Sequence, residues 1–184
     1  MMKRLFLCLI AGFVFSIGDM GHVYSGMARY PHWQGMLLFN IPWWVPLEFA
    51  GAAFILIQSN PLLGKIFQIS APVSFGVRGV LLSFLWTLLI YLATSFIPES
   101  HSLLKDDVLF SALILQVIWS GLFSLGSLLK ILIVALAGCG FEFFLGKMEV
   151  FSYFPSPSLI GTIPLWLACI YGSVAVTIRL FCSL

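Results

Sequence analysis

Between Val108 and Leu145 the chain reads VLFSALILQVIWSGLFSLGSLLKILIVALAGCGFEFFL, 38 residues whose strongly polar members are Gln116, Lys130 and Glu142. As a single helix this stretch would be about 57 Å long, nearly twice the ~30 Å hydrocarbon core of a bilayer. It must therefore fold back on itself. Gly126-Ser127, with Lys130 just beyond, is the best turn and predicts one span near residues 107–126 and a second near 129–146.

The composition extends this reading to the whole chain. Of 184 residues, 61% are apolar and 9% charged, with a mean hydropathy of +1.08; soluble domains average about 45–50% and about 25%. A soluble globular domain is excluded, and 18 Phe, 6 Trp and 5 Tyr with few charges exclude disorder. A net charge of +2 without any basic run leaves no footprint for nucleic acid. Cys8, Cys139, Cys169 and Cys182 stand singly in or beside apolar stretches, so they read as membrane-buried thiols rather than a metal or redox site, and no cofactor motif is present.

Working outward, the first span lies near residues 4–24, where Lys3-Arg4 precedes an apolar run to Ile17. A cleavable signal peptide ending before Asp19 is the rival reading; retention explains better the motif-like residues that follow. Further spans are expected near 36–57, with Pro42 and Pro46 kinking the helix, near 73–97, and near 163–181. The fold class is thus all-α: a polytopic membrane protein, a bundle of six transmembrane helices forming one domain over residues 1–184. With the N-terminus inside, inner segments hold Lys3, Arg4, Lys65, Arg78, Lys130 and Arg179, and outer ones hold Arg29, Lys105 and Lys147. This bias predicts that both termini are cytoplasmic.

Ionisable groups at membrane depth cost at least about 2.5–3.5 kcal/mol on insertion scales, so each needs a partner, a wet cavity or neutralisation. Asp19 and His22, three apart on one helix face, are candidates to pair or to hold a ligand jointly, unless both simply mark the membrane surface. Glu48, two residues after Pro46, is expected at mid-span, neutralised by freed backbone or by Arg78. Glu142 lies near the end of the fifth span, within reach of the interface. If the first, second and fifth spans pack together, these four residues converge on one polar site. The Trp and Tyr residues, Tyr30, Trp33 and Tyr153 among them, read mainly as an interfacial belt, but Trp43 and Trp44 between two prolines would also suit the wall of a lipid groove. The motifs of serine hydrolases, zinc proteases and P-loop enzymes are absent from the sequence.

The hydropathy layout resembles that of Insig (insulin-induced gene) proteins, the six-span sterol-sensing regulators of animals and their prokaryotic relatives, over nearly the whole chain. Pro42-Trp43-Trp44-Val45-Pro46 is similar to the Trp-Trp-Val-Pro segment opening the family's second helix. Phe151-Ser152-Tyr153-Phe154-Pro155 resembles its Tyr-x-x-Pro loop, one residue shorter, and Trp166-Leu167 with Arg179 resembles its final helix. Ala168 stands where the family has proline, and Ser124-Leu125-Gly126-Ser127 replaces the basic stretch by which animal Insigs engage Scap, so that partnership does not carry over. The resemblance implies an apolar cavity open to one leaflet.

Two functional expectations follow. The first is a non-enzymatic protein that holds a sterol-, diacylglycerol- or isoprenoid-like lipid, with Asp19, His22, Trp43, Trp44, Glu48, Glu142 and Tyr153 as ligand-binding residues. The second is a small membrane enzyme using Glu48 and Asp19 as catalytic acid and base, because Pro46-Leu47-Glu48 is similar to the Pro-x-Glu element of membrane lycopene cyclases, with Phe49 in place of its next acid. Gly51-Ala52-Ala53, Gly121, Gly126 and Gly138 suit close helix contacts, within the chain or with another integral-membrane protein.

Overall fold

In the computed structural model the chain forms six helices, α1 (Met2–Tyr24), α2 (Val45–Ile66), α3 (Gly76–Phe96), α4 (Ser102–Ser120), α5 (Leu125–Lys147) and α6 (Trp166–Phe181). The structure describes residues 2–33, 35, 37–38, 40–69, 76–97, 101–153 and 163–183. Four two-residue strands, β1 (Ala28–Arg29), β2 (Leu37–Leu38), β3 (Ile41–Pro42) and β4 (Ser152–Tyr153), pair antiparallel as β1 with β4 and β2 with β3. The helices α1, α2, α3 and α5 are each long and apolar enough to cross a membrane.

Successive helices run in opposite directions, so one end of the bundle collects the finishes of α1, α3 and α5 and the starts of α2, α4 and α6. The β1–β4 ladder closes this end by tying the α1–α2 connection to the α5–α6 connection. The opposite end collects Lys65, Arg78, Lys130 and Arg179, together with the start of α1, where Lys3 and Arg4 lie.

The hairpin inferred from Val108–Leu145 is present, but its turn comes earlier. Gly121 takes a left-handed conformation (φ 67°) and caps α4, with its N–H bonded to the Ile118 carbonyl (3.1 Å) and that of Leu122 to Val117 (3.2 Å). Ser124 then caps α5, its hydroxyl accepting from the Ser127 N–H at 3.2 Å. Glycine tolerates the positive φ and serine the N-cap, so capping chemistry rather than polarity sets the turn.

The second helix also corrects an expectation. Pro42 lies in β3 and Pro46 in the first turn of α2, where its missing N–H breaks no helical bond. There is accordingly no kink at this segment; α2 begins at Val45 and continues through Asn60-Pro61 to Ile66, beyond the end expected near residue 57. Glu48 therefore belongs to the first turn of α2, where the positive end of the helix dipole favours a carboxylate.

The shortest helix holds the centre. At 16 residues α6 is only about 24 Å long, yet it packs against α2, α3, α4 and α5. Its Ser173 and Thr177 meet Ser83 and Thr87 of α3 and Gln116 of α4. Ser83 and Thr177 hydroxyls lie 2.8 Å apart, those of Thr87 and Thr177 2.9 Å, and Gln116 Nε2 donates to Ser83 at 2.9 Å, while the Ser173 hydroxyl donates to Gln116 Oε1. All five side chains are buried. Hydrocarbon gives little hydrophobic reward for helix association, so small residues and interhelical hydrogen bonds hold the three helices together.

The α1–α2 contact depends on Gly12. A Cβ there would lie 2.2 Å from the Pro46 carbonyl oxygen and 2.9 Å from Ala50, whereas one at Gly51 meets nothing within 4 Å. Gly12→Leu is therefore expected to abolish the monodisperse peak in detergent size-exclusion chromatography, and Gly51→Ala to leave it and the melting temperature unchanged or slightly raised.

Candidate functional site

A cavity of about 450 Å³ runs through the bundle, walled almost entirely by apolar side chains of α1, α2, α3 and α6, among them Phe15, Phe49, Ala53, Phe84 and Ile170. Its exposed lining residues are Leu7 and Ile10 on α1 and Val77 and Leu81 on α3, which places the mouth between these two helices in the half nearer the basic end. Deeper in, the lining reaches Tyr91, Tyr171 and Glu142.

Beyond this deep end is a second hollow of about 20 Å³, lined by Asp19, Tyr30, Glu48, Glu142 and Tyr153 together with Ala28, Val45, Phe49 and Phe151. That volume is room for about one water or hydroxyl group. Phe49 and Glu142 belong to both linings and form the wall between the two spaces.

Tyrosines organise the carboxylates. Asp19, 6% exposed, accepts from the Tyr91 hydroxyl at 3.0 Å through Oδ1 and from the Tyr30 hydroxyl through Oδ2. The Tyr171 hydroxyl donates to Glu142 Oε1 at 2.6 Å. Two glycines seat these rings: a Cβ at Gly18 would strike the Tyr91 ring at 2.1 Å, and one at Gly138 the Tyr171 ring at 2.3 Å. In the closing connections, burial, followed by the nearby Asp19 charge, holds the Tyr30 phenol well above its usual range. Burial, followed by the charges of Glu142, Asp19 and Glu48, does the same for Tyr153. Both phenols stay protonated, and Tyr30 donates to Asp19. Glu48, half-buried, makes no side-chain hydrogen bond among the described residues and borders the small hollow.

The residues singled out in the sequence separate into three groups. Asp19, Glu48, Glu142 and Tyr153 come together around the small hollow. His22 does not pair with Asp19 and lines neither space. Its Nδ1 lies 2.8 Å from the Gly18 carbonyl, an acceptor, and so carries a proton; Nε2 lies 2.6 Å from Thr94 Oγ1, and the ring stacks on Trp166 with centroids 5.1 Å apart. This makes His22 a brace between α1, α3 and α6. Trp43 and Trp44 also line neither space: Trp43 is 52% exposed, and Trp44 packs edge-on against Tyr30 (6.0 Å) and Trp33 (6.1 Å). The kinked groove expected for them is absent because α2 starts after both. Arg78, proposed as a partner for Glu48, is exposed at the far end of the bundle.

Tyr91, Tyr171 and Phe49 were missed as site residues, and Tyr30 was read as part of the interfacial belt. A signal existed for the first two. A tyrosine within an apolar span must find an acceptor for its hydroxyl, and a carboxylate in another span must find donors. Among the described residues no group of three or more His, Cys, Asp or Glu side chains is arranged to hold a metal ion.

The architecture defines a class: an integral-membrane six-helix bundle of Insig-like fold. Two solved structures similar to this chain are of MvINS, a mycobacterial Insig homologue. One is the homologue from Mycobacterium vanbaalenii, with 21% identity and a TM-score of 0.81, and the other a cross-linked trimer of a cysteine-substituted MvINS, with 19% identity and a TM-score of 0.82. Each match covers 100% of this chain and 94% of that one. No protein-family model and no curated protein matches the chain. At these identities the likeness establishes the fold.

Replacing Asp19 by Leu would leave the Tyr30 and Tyr91 hydroxyls without an acceptor, at about 1–3 kcal/mol for each buried orphan. Asp19→Leu is therefore expected to lower the unfolding midpoint in detergent markedly, and Asp19→Asn, which still offers one carbonyl oxygen, to lower it less; equal midpoints for both and wild type would show that Asp19 does not bear on stability.

Proposed function

We propose that the protein binds a membrane lipid without chemical turnover, housing a sterol-, diacylglycerol- or isoprenoid-like molecule in the apolar cavity with its hydroxyl group toward Glu48 and Glu142. The observation that carries this reading is the shape of the space: a cavity of about 450 Å³ that begins between α1 and α3 and ends at carboxylates. The volume falls within the ~300–1,000 Å³ typical of small-molecule sites. The MvINS structures, whose fold this chain shares, support the reading through the fold alone.

The physics of the bilayer decides which part of the site discriminates. A lipid moving from the membrane into the cavity exchanges one apolar environment for another, so transfer from hydrocarbon contributes little. Selectivity comes from fit to the walls and from hydrogen bonding at the deep end. The Tyr30, Tyr91 and Tyr171 hydroxyls already donate to Asp19 and Glu142, which leaves Glu48 and the second oxygen of Glu142 to receive a donor brought by the ligand. A hydroxyl-bearing lipid supplies that donor, whereas a hydrocarbon or a fatty ester does not.

Orientation in the membrane is part of the same proposal. The basic end, holding Lys65, Arg78, Lys130 and Arg179, is placed at the cytoplasmic surface with both termini. The cavity mouth then faces the inner leaflet.

Native mass spectrometry of protein purified in several mild detergents is expected to show a retained lipid. Ala53 lines the cavity, and Ala53→Trp should reduce that retention about tenfold or more while the protein stays monodisperse. Glu48→Gln should change which lipid is retained without loss of fold. Failure to find lipid in any mild detergent would overturn the proposal, and accumulation of an unprocessed lipid in cells carrying Glu48→Gln would favour the enzymatic alternative.

A further inference from the structure

Phe49 stands where the apolar cavity and the small hollow meet, and it lines both. Its ring belongs to a run of aromatic groups that crosses the cavity inward of the mouth. Ring centroids are 5.2 Å apart from Phe84 to Phe15, 6.4 Å from Phe15 to Phe49 and 6.5 Å from Phe49 to Tyr91. These rings come from α1, α2 and α3, so three helices contribute to one collar. Phe15, Phe84 and Tyr91 line the cavity alone; within the collar, Phe49 by itself also reaches the hollow. The α1–α2 contact holds it there. A Cβ on Gly12 would lie 2.9 Å from Ala50, the residue after Phe49, so this part of α2 has no room to move toward α1.

Behind the Phe49 ring the chemistry changes from apolar to polar. Of the groups around the hollow, the Tyr30 hydroxyl is bound to Asp19, and Glu142 Oε1 receives the Tyr171 hydroxyl. The Glu48 carboxyl and the Tyr153 hydroxyl make no hydrogen bond with another described residue. The hollow therefore offers one donor, Tyr153, and acceptors at Glu48 and the second oxygen of Glu142. A hydroxyl group is both acceptor and donor and satisfies the two sides at once, whereas an ammonium has nothing to accept with. At about 20 Å³ the hollow takes about one such group. A second hydroxyl on the next carbon would have to stay on the cavity side of Phe49, against Phe15 and Phe84, where burial without a partner is costly.

We propose that Phe49 is the specificity-determining residue of the cavity: its ring lets one hydroxyl group pass into the hollow and holds back larger heads, so the lipids accepted are neutral and end in a single hydroxyl. This rests on the lipid-binding reading above and adds the head group that the site selects. Phosphate, sugar and diol heads are excluded by the space behind the ring, and ammonium heads by Tyr153.

The test is native mass spectrometry of the purified full chain in a mild detergent, offered equal amounts of hexadecanol and of the hexadecane diol with hydroxyls on its first two carbons. The two probes share a chain and differ by one hydroxyl. Wild type is expected to retain the alcohol in preference to the diol. Phe49→Ala, which joins the two spaces, should shift the bound ratio about fivefold toward the diol, the scale of one hydrogen bond gained. Phe15→Ala takes an equal ring from the cavity side alone and should leave the ratio as in wild type. Equal retention of both probes by wild type, no shift in Phe49→Ala, or a shift as large in Phe15→Ala would overturn the proposal and leave the lipid-binding reading standing. Retention of neither probe by wild type would overturn both. Should Phe49→Ala fail to fold, Phe49→Leu keeps an apolar side chain at the contact and is expected to move the ratio about twofold in the same direction; no movement there would overturn the proposal.

Discussion

A carboxylate cannot rest in hydrocarbon unless donors surround it, and the way this chain supplies donors to Asp19 positions much of the bundle. Tyr91 comes from α3 and Tyr30 from the connection after α1, so one acid couples two helices to the segment that covers them. Gly18, one residue before Asp19, lets the Tyr91 ring lie directly against α1. From the far side of Tyr91, its carbonyl accepts from the Thr94 hydroxyl at 2.5 Å, and Thr94 in turn meets His22. Two polar residues of α1 thus meet groups gathered around Tyr91. The tyrosine most important to the arrangement lies in the middle of an apolar sequence, where hydropathy alone treats it as another aromatic.

The same rule shapes the rest of the core. Polar groups of α3, α4 and α6 meet one another in the Ser83, Thr87, Gln116, Ser173 and Thr177 cluster. Thr177 sits where this cluster meets the cavity wall. The cavity exists because α1 and α3 touch at Gly18 and Gly21, near the carboxylate end, while their exposed residues Leu7, Ile10, Val77 and Leu81 form a rim nearer the basic end. A lipid-sized space with a polar end is the natural product of helices held together by hydrogen bonds at one level and left apart at another.

Much of the architecture was legible in the residues. An apolar stretch of 38 residues too long for one crossing forces a hairpin, and the number of helices follows from such counting. The boundaries were less legible, because Pro46 and Gly121 act through backbone geometry rather than hydropathy: one opens α2 and the other ends α4. Asp19, Glu48 and Glu142 stood out as costly charges, but Tyr91 and Tyr171, which satisfy two of them, did not, since aromatic residues are common in membranes. Lys105 shows the limit most plainly. Read as a loop residue, it is instead fully buried within α4, its ammonium 3.5 Å from Met27 Sδ and 5.6 Å from the centre of the Trp166 ring.

What the amino-acid order determined unaided was an all-helical membrane protein with a few ionisable groups at depth, because hydrophobicity and chain length act locally and need no knowledge of neighbours. Only the tertiary structure decided that Asp19, Glu48 and Glu142 face one small hollow while His22, one turn from Asp19, serves as a brace. Which side chains share a space depends on the rotation and spacing of helices far apart in sequence. That is set by close approaches such as Gly12 to Pro46 and Gly138 to Tyr171, contacts that no local pattern reveals.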